Sequence, residues 1–397
     1  MTYFTKYRCT QCGIEFPPHE LIYLCPACSK DYHAGMPLPG IVECDFDYPA
    51  IVREWEEFNV AFPDAHPCKK MDELCQIFSP IDQEYYPNLP VGRTPLVSTQ
   101  SLSAETLYLK FDGVNPSGSF KDRASYLVVA EAKRLGIREI VTASTGNAAS
   151  SLAAICASAG LKAVIFAPAK APQAKLVQIR IHGAELHLVD GTYDDAFAAA
   201  LDYSASHECL NRNTAYHPFT IEGKKTAGLE LFVQMPVFPD YIFIPSGDGV
   251  ILAGVAKAFT DLLKAGLIDR LPALVAAQAE SSDAITTYWE KGVYQDAAKP
   301  ATVADSISVK TPSAAHLAVK AIKESGGFGI RVSDTEILSA QKMLAERSGI
   351  FCEPSSAATL AAYFSCREQG RIADKATVVL MLTGHGLKDI GAVSFAD

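Results

Sequence analysis

No apolar run in the chain reaches the roughly 18 residues a bilayer crossing needs. The stretch Met1 to Thr10 has no apolar core of the secretory kind, so the protein is expected to stay in the cytoplasm. Positive charge is in short supply: 35 Lys and Arg stand against 45 Asp and Glu, a net charge of −10. That balance argues against nucleic acid and anionic membrane as general partners, while leaving room for a local basic pocket around a small anion. Internal repeats and low-complexity segments are also missing. The cysteine count is odd, 11, so complete internal pairing is excluded. In a cytoplasmic chain such cysteines point to thiols or metal ligands rather than disulfides.

The chain has 397 residues, enough for two or three domains and a large core. Residues 1–40 read as a separate head. Cys9-x-x-Cys12 and Cys25-x-x-Cys28 supply four thiolates, a set that suits tetrahedral zinc and leaves no open coordination position. The head is too short for a core of its own, so a structural zinc would supply much of its stability. A weakly binding ribbon or a redox pair is the alternative. Residues 41–92 read as a connecting arm. Helical periodicity over Tyr48–Phe58 puts Ile51, Trp55 and Phe58 on one face, and the prolines from Pro63 to Pro90 interrupt the remainder of the arm. From Gly92 onward, strand and helix alternate. Strands are expected at Leu107–Phe111, Glu139–Ala143, Lys162–Ala167, Leu186–Val189, Tyr241–Ile244, Ala273–Ala279 and Thr377–Leu382, with helices between them closed by Gly136, Gly160, Gly183 and Gly266. Such alternation predicts an α/β fold with parallel sheets.

The chemistry concentrates in loops placed after these strands, the edge where open parallel sheets bind ligands. In Asn115-Pro-Ser-Gly-Ser-Phe-Lys121-Asp-Arg123, a lysine stands where a tight loop meets a helix N-terminus. That spot is electropositive and favours the neutral amine that Schiff-base chemistry uses. Ser144-Thr145-Gly146-Asn147 opens a helix with hydroxyls and backbone amides able to hold a carboxylate, or is a plain helix cap. Ser246-Gly247-Asp248-Gly249-Val250-Ile251 is a glycine turn before a helix, able to cradle a phosphate, or Asp248 merely caps the helix. Thr383-Gly384-His385-Gly386 and Gly349-Ile-Phe-Cys-Glu353-Pro-Ser-Ser-Ala357 complete the set. His385 is as readily a polar loop residue, and Glu353 a structural acid near a helix start.

These segments, in this order, closely resemble the threonine synthase family of fold type II (tryptophan synthase β-like) pyridoxal-phosphate enzymes. The resemblance runs from the zinc-ribbon-like head to the C-terminal Thr-Gly-His-Gly. It implies two parallel-sheet α/β domains with the active site between them: a large cofactor domain of residues 93–123 and 214–397, and a smaller domain of 124–213. Lys121 would be the Schiff-base lysine. Asn147 would contact the cofactor ring oxygen, and Ser144, Thr145, Gly146 and Asn147 the substrate carboxylate. Gly247, Asp248, Gly249, Val250 and Ile251 would hold the cofactor phosphate, and the Thr383 hydroxyl would face the pyridine nitrogen.

The activity so implied is a lyase of amino-acid biosynthesis, converting O-phosphohomoserine and water to threonine and phosphate, in a homodimer. Two positions depart from the family's pattern. An Arg usually precedes Ile221-Glu-Gly-Lys-Lys-Thr226, where this chain has Thr220, and an Asn usually stands where it has Asp248. Both lie at the family's site for the substrate phosphate. Lys175, Arg180 and Lys224 are candidate replacements for the basic group. A relative acting by β-replacement or β-elimination, on phosphoserine (as in cysteate synthase) or on a hydroxy amino acid, is the alternative. A non-catalytic binding protein on this fold is opposed by the presence of Lys121, Asn147 and Thr383.

Overall fold

The computed structural model describes residues 2–171 and 173–392. Its strands are β1 (Phe4–Cys9), β2 (Glu15–Phe16), β3 (Val42–Phe46), β4 (Leu96–Thr99), β5 (Leu107–Phe111), β6 (Glu139–Ala143), β7 (Lys162–Pro168), β8 (Glu185–Val189), β9 (Leu210–Asn211), β10 (Tyr241–Pro245), β11 (Ala273–Ala279), β12 (Phe328–Val332) and β13 (Val378–Leu382). The chain divides into two compact units, residues 1–92 with 121–226, and residues 93–120 with 227–397.

The first unit holds two sheets. The head and arm form an antiparallel sheet of order β2-β1-β3. A four-stranded parallel sheet of order β8-β7-β6-β9 carries the helices Lys121–Leu135, Asn147–Ala159 and Tyr193–Ser206. Its central strands β6 and β7 are apolar runs, buried along most of their length. The last of these helices begins with a reciprocal capping box between Thr192 and Asp195. Gly160 closes the second in the left-handed conformation that glycine adopts without strain.

The second unit is built on a six-stranded sheet of order β12-β11-β10-β13-β5-β4, parallel except for β4 at its edge. The helix Pro354–Glu368 packs across it, with Leu360, Ala361 and Tyr363 joining Phe243, Val275 and Leu380 in the core. A buried network fixes the edge. Lys110 donates to Glu230 at 2.5 Å and to the Thr94 carbonyl at 2.8 Å, and the Thr94 hydroxyl donates to Asp112 at 2.6 Å. The sheet therefore sets the start of the lysine loop, because Asp112 in turn accepts from the Asn115 amide.

The structure corrects several expectations. Prolines do not break the arm after residue 63: Pro67–Ile77 is a helix. Pro67 sits in its first turn, where the missing N–H costs nothing. The helix ahead of β8 spans Gln173–Arg180. The strands β4, β9 and β12 add to those the sequence pattern marks, and residues 284–291 form a helix.

Candidate active site

In the second unit, three adjacent strands, β10, β13 and β5, end at one sheet edge. Each is followed by a loop in which the sequence concentrates its chemistry. Asp112–Phe120 follows β5, Thr383–Gly386 follows β13, and Ser246–Gly249 follows β10. The first two are laced together. The Phe120 amide donates to the Thr383 carbonyl at 2.8 Å, the His385 amide to the Gly118 carbonyl at 2.9 Å, and Ser119 bridges Gly384. Gly118 has φ +79°, a turn conformation few side chains accept. Lys121 is the next residue but one after Ser119 and the first of its helix.

Thr383 is buried, and its hydroxyl lies 3.3 Å from that of Ser356. Ser356 also accepts the Thr383 and Gly384 amides, at 2.9 and 3.0 Å. The Glu353 carboxylate packs against Gly384 so closely that a Cβ there would lie 2.2 Å from an oxygen. It accepts from the Ser306 hydroxyl at 3.3 Å. Glu353 is thus a buried acid of this edge, and His385 an edge residue whose ring nitrogen accepts the Leu387 amide at 3.1 Å.

The Gly247–Val250 turn opens the helix Val250–Lys264, with Gly249 at φ +81°. A Cβ on Gly247 would come within 2.9 Å of Ile307, and one on Gly249 within 3.1 Å of the Ala314 carbonyl. Asp248 accepts the Val250 amide at 3.1 Å, so its carboxylate does cap this turn, and its carbonyl accepts the Ala314 amide at 2.9 Å. Val250 is fully buried, and Ile251 nearly so. Beside Ala314, the Ser313 hydroxyl is buried with no hydrogen-bond partner. A glycine turn at a helix N-terminus with an orphaned hydroxyl beside it fits a phosphate. Sequence reasoning missed Ser313, which no motif marks.

The first unit has an edge of its own. Ser144, Thr145 and Gly146 follow β6, and Asn147 starts the next helix; all four are half-buried. That helix and the helix of Lys121 lie side by side, joined by a bond from Ser151 to Ser125 at 2.8 Å. β9 is the parallel neighbour of β6, so the Arg212–His217 segment emerges beside the Ser144–Asn147 loop. Asn213 ties the two together, its side-chain oxygen accepting the Ala143 amide at 2.7 Å and the Thr142 hydroxyl at 3.0 Å. The other face of this segment is polar and unsatisfied. Asn213 Nδ2, Thr214 Oγ1 and His217 Nε2 are buried without hydrogen-bond partners, and Thr214 has φ +36°. His217 Nδ1 accepts the Phe219 amide at 3.1 Å, which leaves the proton of the neutral ring on Nε2. Burial, with Arg212 adding, pushes the His217 pKa down to about 3. The hydroxyl of Thr220 donates to the His217 carbonyl at 2.8 Å. Asn213, Thr214 and His217 were not found from sequence, because the strand before them is only two residues long.

In the head, Cys9, Cys12, Cys25 and Cys28 bring their sulfurs within 4.8 Å of one another. Cys9 and Cys28 are 3.9 Å apart, and Cys12 and Cys25 3.6 Å. A tetrahedral zinc with bonds of about 2.3 Å sets its sulfurs about 3.8 Å apart, so the donor set fits. The Ile14 amide lowers the Cys12 thiol to about 7, while burial raises Cys9 and the hydrogen bond with Cys12 raises Cys28.

Comparison with known proteins agrees with this geometry. The sequence pattern of the family "Pyridoxal-phosphate dependent enzyme" matches residues 88–384. A threonine synthase of Methanosarcina acetivorans is 34% identical over 390 residues, covering 96% of this chain and 92% of that protein. One of Bacillus sp. strain ULM1 is 38% identical over 306 residues, covering 76% and 85%. This chain belongs to the threonine synthase family. Within it, the chain is a pyridoxal-phosphate-dependent lyase. The fold is that of fold type II enzymes. Maize serine racemase superposes with a TM-score of 0.64 at 25% identity, covering 74% of this chain and 89% of that one. Threonine deaminase isoform 2 of Solanum lycopersicum gives 0.67 at 22%, covering 82% and 93%. Among the described residues, no helix is long and apolar enough to cross a membrane.

Proposed function

We propose that this threonine synthase family member converts O-phosphohomoserine and water to threonine and inorganic phosphate, with pyridoxal phosphate carried on Lys121. The observation that carries the reading is the alignment of Asp112–Phe120, Thr383–Gly386 and Ser246–Gly249 on three neighbouring strand ends, leading directly into Lys121. When bound, the cofactor supplies an electron sink for a carbanion at the amino acid. The backbone of Gly247, Asp248, Gly249, Val250 and Ile251 is assigned to its phosphate, with the Ser313 hydroxyl. The Thr383 hydroxyl is assigned to the ring nitrogen, and a neutral hydroxyl leaves that nitrogen less protonated than a carboxylate would. Asn147 is assigned to the ring oxygen, and Ser144, Thr145 and Gly146 with Asn147 to the substrate carboxylate. The Lys121 amine takes the protons at Cα and Cβ, and protons are returned at Cγ, which becomes the methyl, and at Cα. Phosphate leaves from Cγ and water adds at Cβ. The four head thiolates hold a structural zinc, and the working form is a cytoplasmic homodimer.

A second reading, β-replacement or β-elimination on phosphoserine or a hydroxy amino acid, is favoured by two observations. The Thr220 hydroxyl is engaged with the backbone, and Asp248 places an acid at the turn. The test is a product assay on reconstituted holoenzyme, offered O-phosphohomoserine, phosphoserine with sulfite, serine and threonine separately. Threonine with equimolar phosphate from the first alone supports the first reading. Turnover of another substrate instead overturns it. Borohydride reduction should fix the cofactor to the peptide carrying Lys121.

A further inference from the structure

The cysteine head grips the segment that carries the unsatisfied donors, and it does so from both ends. The Tyr23 hydroxyl, two residues before Cys25, accepts the Asn211 amide at 3.0 Å. The Tyr23 ring stacks on Tyr216 at 4.8 Å and meets His217 edge-on at 5.5 Å. At the other end, the strand leading into Cys9 places Tyr7 against Phe219 at 6.1 Å and Phe4 at 6.4 Å. Tyr32, just past Cys28, packs with Ala34 on the core of the parallel sheet.

Tyr23 is itself held by the second cysteine pair. Leu24 bridges Ile41, and the Cys25 amide donates to the Gly40 carbonyl at 2.8 Å. Gly40 lies so near the pair that a Cβ there would come within 2.8 Å of Cys28 Cβ. A head this small depends on its metal for order. The gripped segment contains Thr214, a β-branched residue at φ +36°, a conformation that persists only where surrounding contacts enforce it.

We propose that Tyr23 is a positioning residue through which metal occupancy of the cysteine head sets the conformation of the Asn211–His217 segment, and with it the affinity for substrate. The segment adjoins the proposed carboxylate site, because Asn213 accepts the amide of Ala143, the residue just before the Ser144–Asn147 loop. The affinity part rests on the function proposed above, whereas the conformational part does not.

The test uses the holoenzyme, with bound zinc measured per chain, before and after stripping by dipicolinate with pyridoxal phosphate kept present. Hydrogen exchange is followed in peptides covering 208–218 and, as control, β10, β11 and β13. Stripping is expected to speed exchange of the Asn211 amide by roughly tenfold, the scale of one lost buried hydrogen bond, with the control peptides unchanged. Tyr23→Phe keeps the ring and removes the acceptor. It should reproduce the faster exchange at full zinc content and raise KM roughly fivefold with kcat within about twofold. Stripping zinc from the variant should then add little, because the two changes act on one contact. Unchanged exchange at 208–218 in both cases overturns the proposal. So does a rise shared equally by the control peptides, which would make the head a general stabiliser, or a purified protein with no metal in the head. Failure of O-phosphohomoserine as a substrate appears in the product assay alone and leaves the exchange result decisive.

Discussion

The Lys388 ammonium donates to the carbonyl oxygen of Ser117 at 2.7 Å, joining points 271 residues apart in sequence. Its methylenes lie over Gly118, where a Cβ would come within 3.2 Å of them. The C-terminal turn thus clamps the lysine loop by a charged side chain as well as by main-chain bonds. Lys388→Met keeps the packing and removes the charge. A hydrogen bond from a charged group contributes about 1.5–3 kcal/mol, so kcat is expected to fall about tenfold, with Lys388→Arg retaining more activity. Steady-state kinetics with a matched melting curve checks this, and an unchanged kcat would show that the main-chain bonds suffice.

Gly249→Ala places a Cβ at φ +81° and 3.1 Å from the Ala314 carbonyl. The left-handed conformation alone costs about 1–2 kcal/mol, and the turn must shift as well. If this turn holds the cofactor phosphate, cofactor affinity should fall at least about tenfold, while the fold survives. Titration of the apoenzyme with pyridoxal phosphate, followed by absorbance, measures it.

His217 makes a pH prediction with a definite sign. Its folded pKa of about 3 lies below the ordinary 6.5. As pH falls below 6.5, the unfolded chain binds a proton that the folded chain refuses. The stabilising contribution is therefore complete above about pH 6.5 and is lost progressively down to about pH 3, by up to about 1.4 kcal/mol per pH unit. Urea unfolding of the parent and of His217→Gln across pH 7 to 4 should give a shallower acid slope for the variant.

Asp248→Asn keeps an oxygen for the Val250 amide and removes a negative charge from the turn. If phosphate is repelled there, KM for O-phosphohomoserine should fall several-fold with little change in kcat. A rise in KM would show that the acid is adapted to the natural substrate.

Much of the framework is legible in the sequence because the periodic signals are local. Glu139–Ala143, Lys162–Pro168, Tyr241–Pro245 and Ala273–Ala279 are apolar runs bounded by glycine-closed helices, and each is a strand. The Ser333–Glu336 capping box, a local pattern too, is formed. The features that escape depend on partners far away in sequence. β9 has two residues and no pattern of its own, existing only because Leu210 and Asn211 pair with Ile140 and Val141. β12 lies in a glycine-rich run. A Cβ on Gly327 would sit 2.0 Å from the Leu274 carbonyl, and one on Gly329 2.5 Å from Thr286, so close packing explains them. The donors of Asn213, Thr214 and His217 are ordinary polar residues in sequence, and only burial makes them notable.

Thr214 also has a consequence for how this protein can change. A threonine at φ +36° is a backbone liability that glycine would relieve at once. Thr214→Gly would relieve that strain, and the same change deletes a buried hydroxyl beside the Ser144–Asn147 loop. If the segment holds substrate as proposed above, selection for thermal stability pushes this position one way and selection for ligand recognition the other. The residue found there in any descendant of this chain records which pressure prevailed.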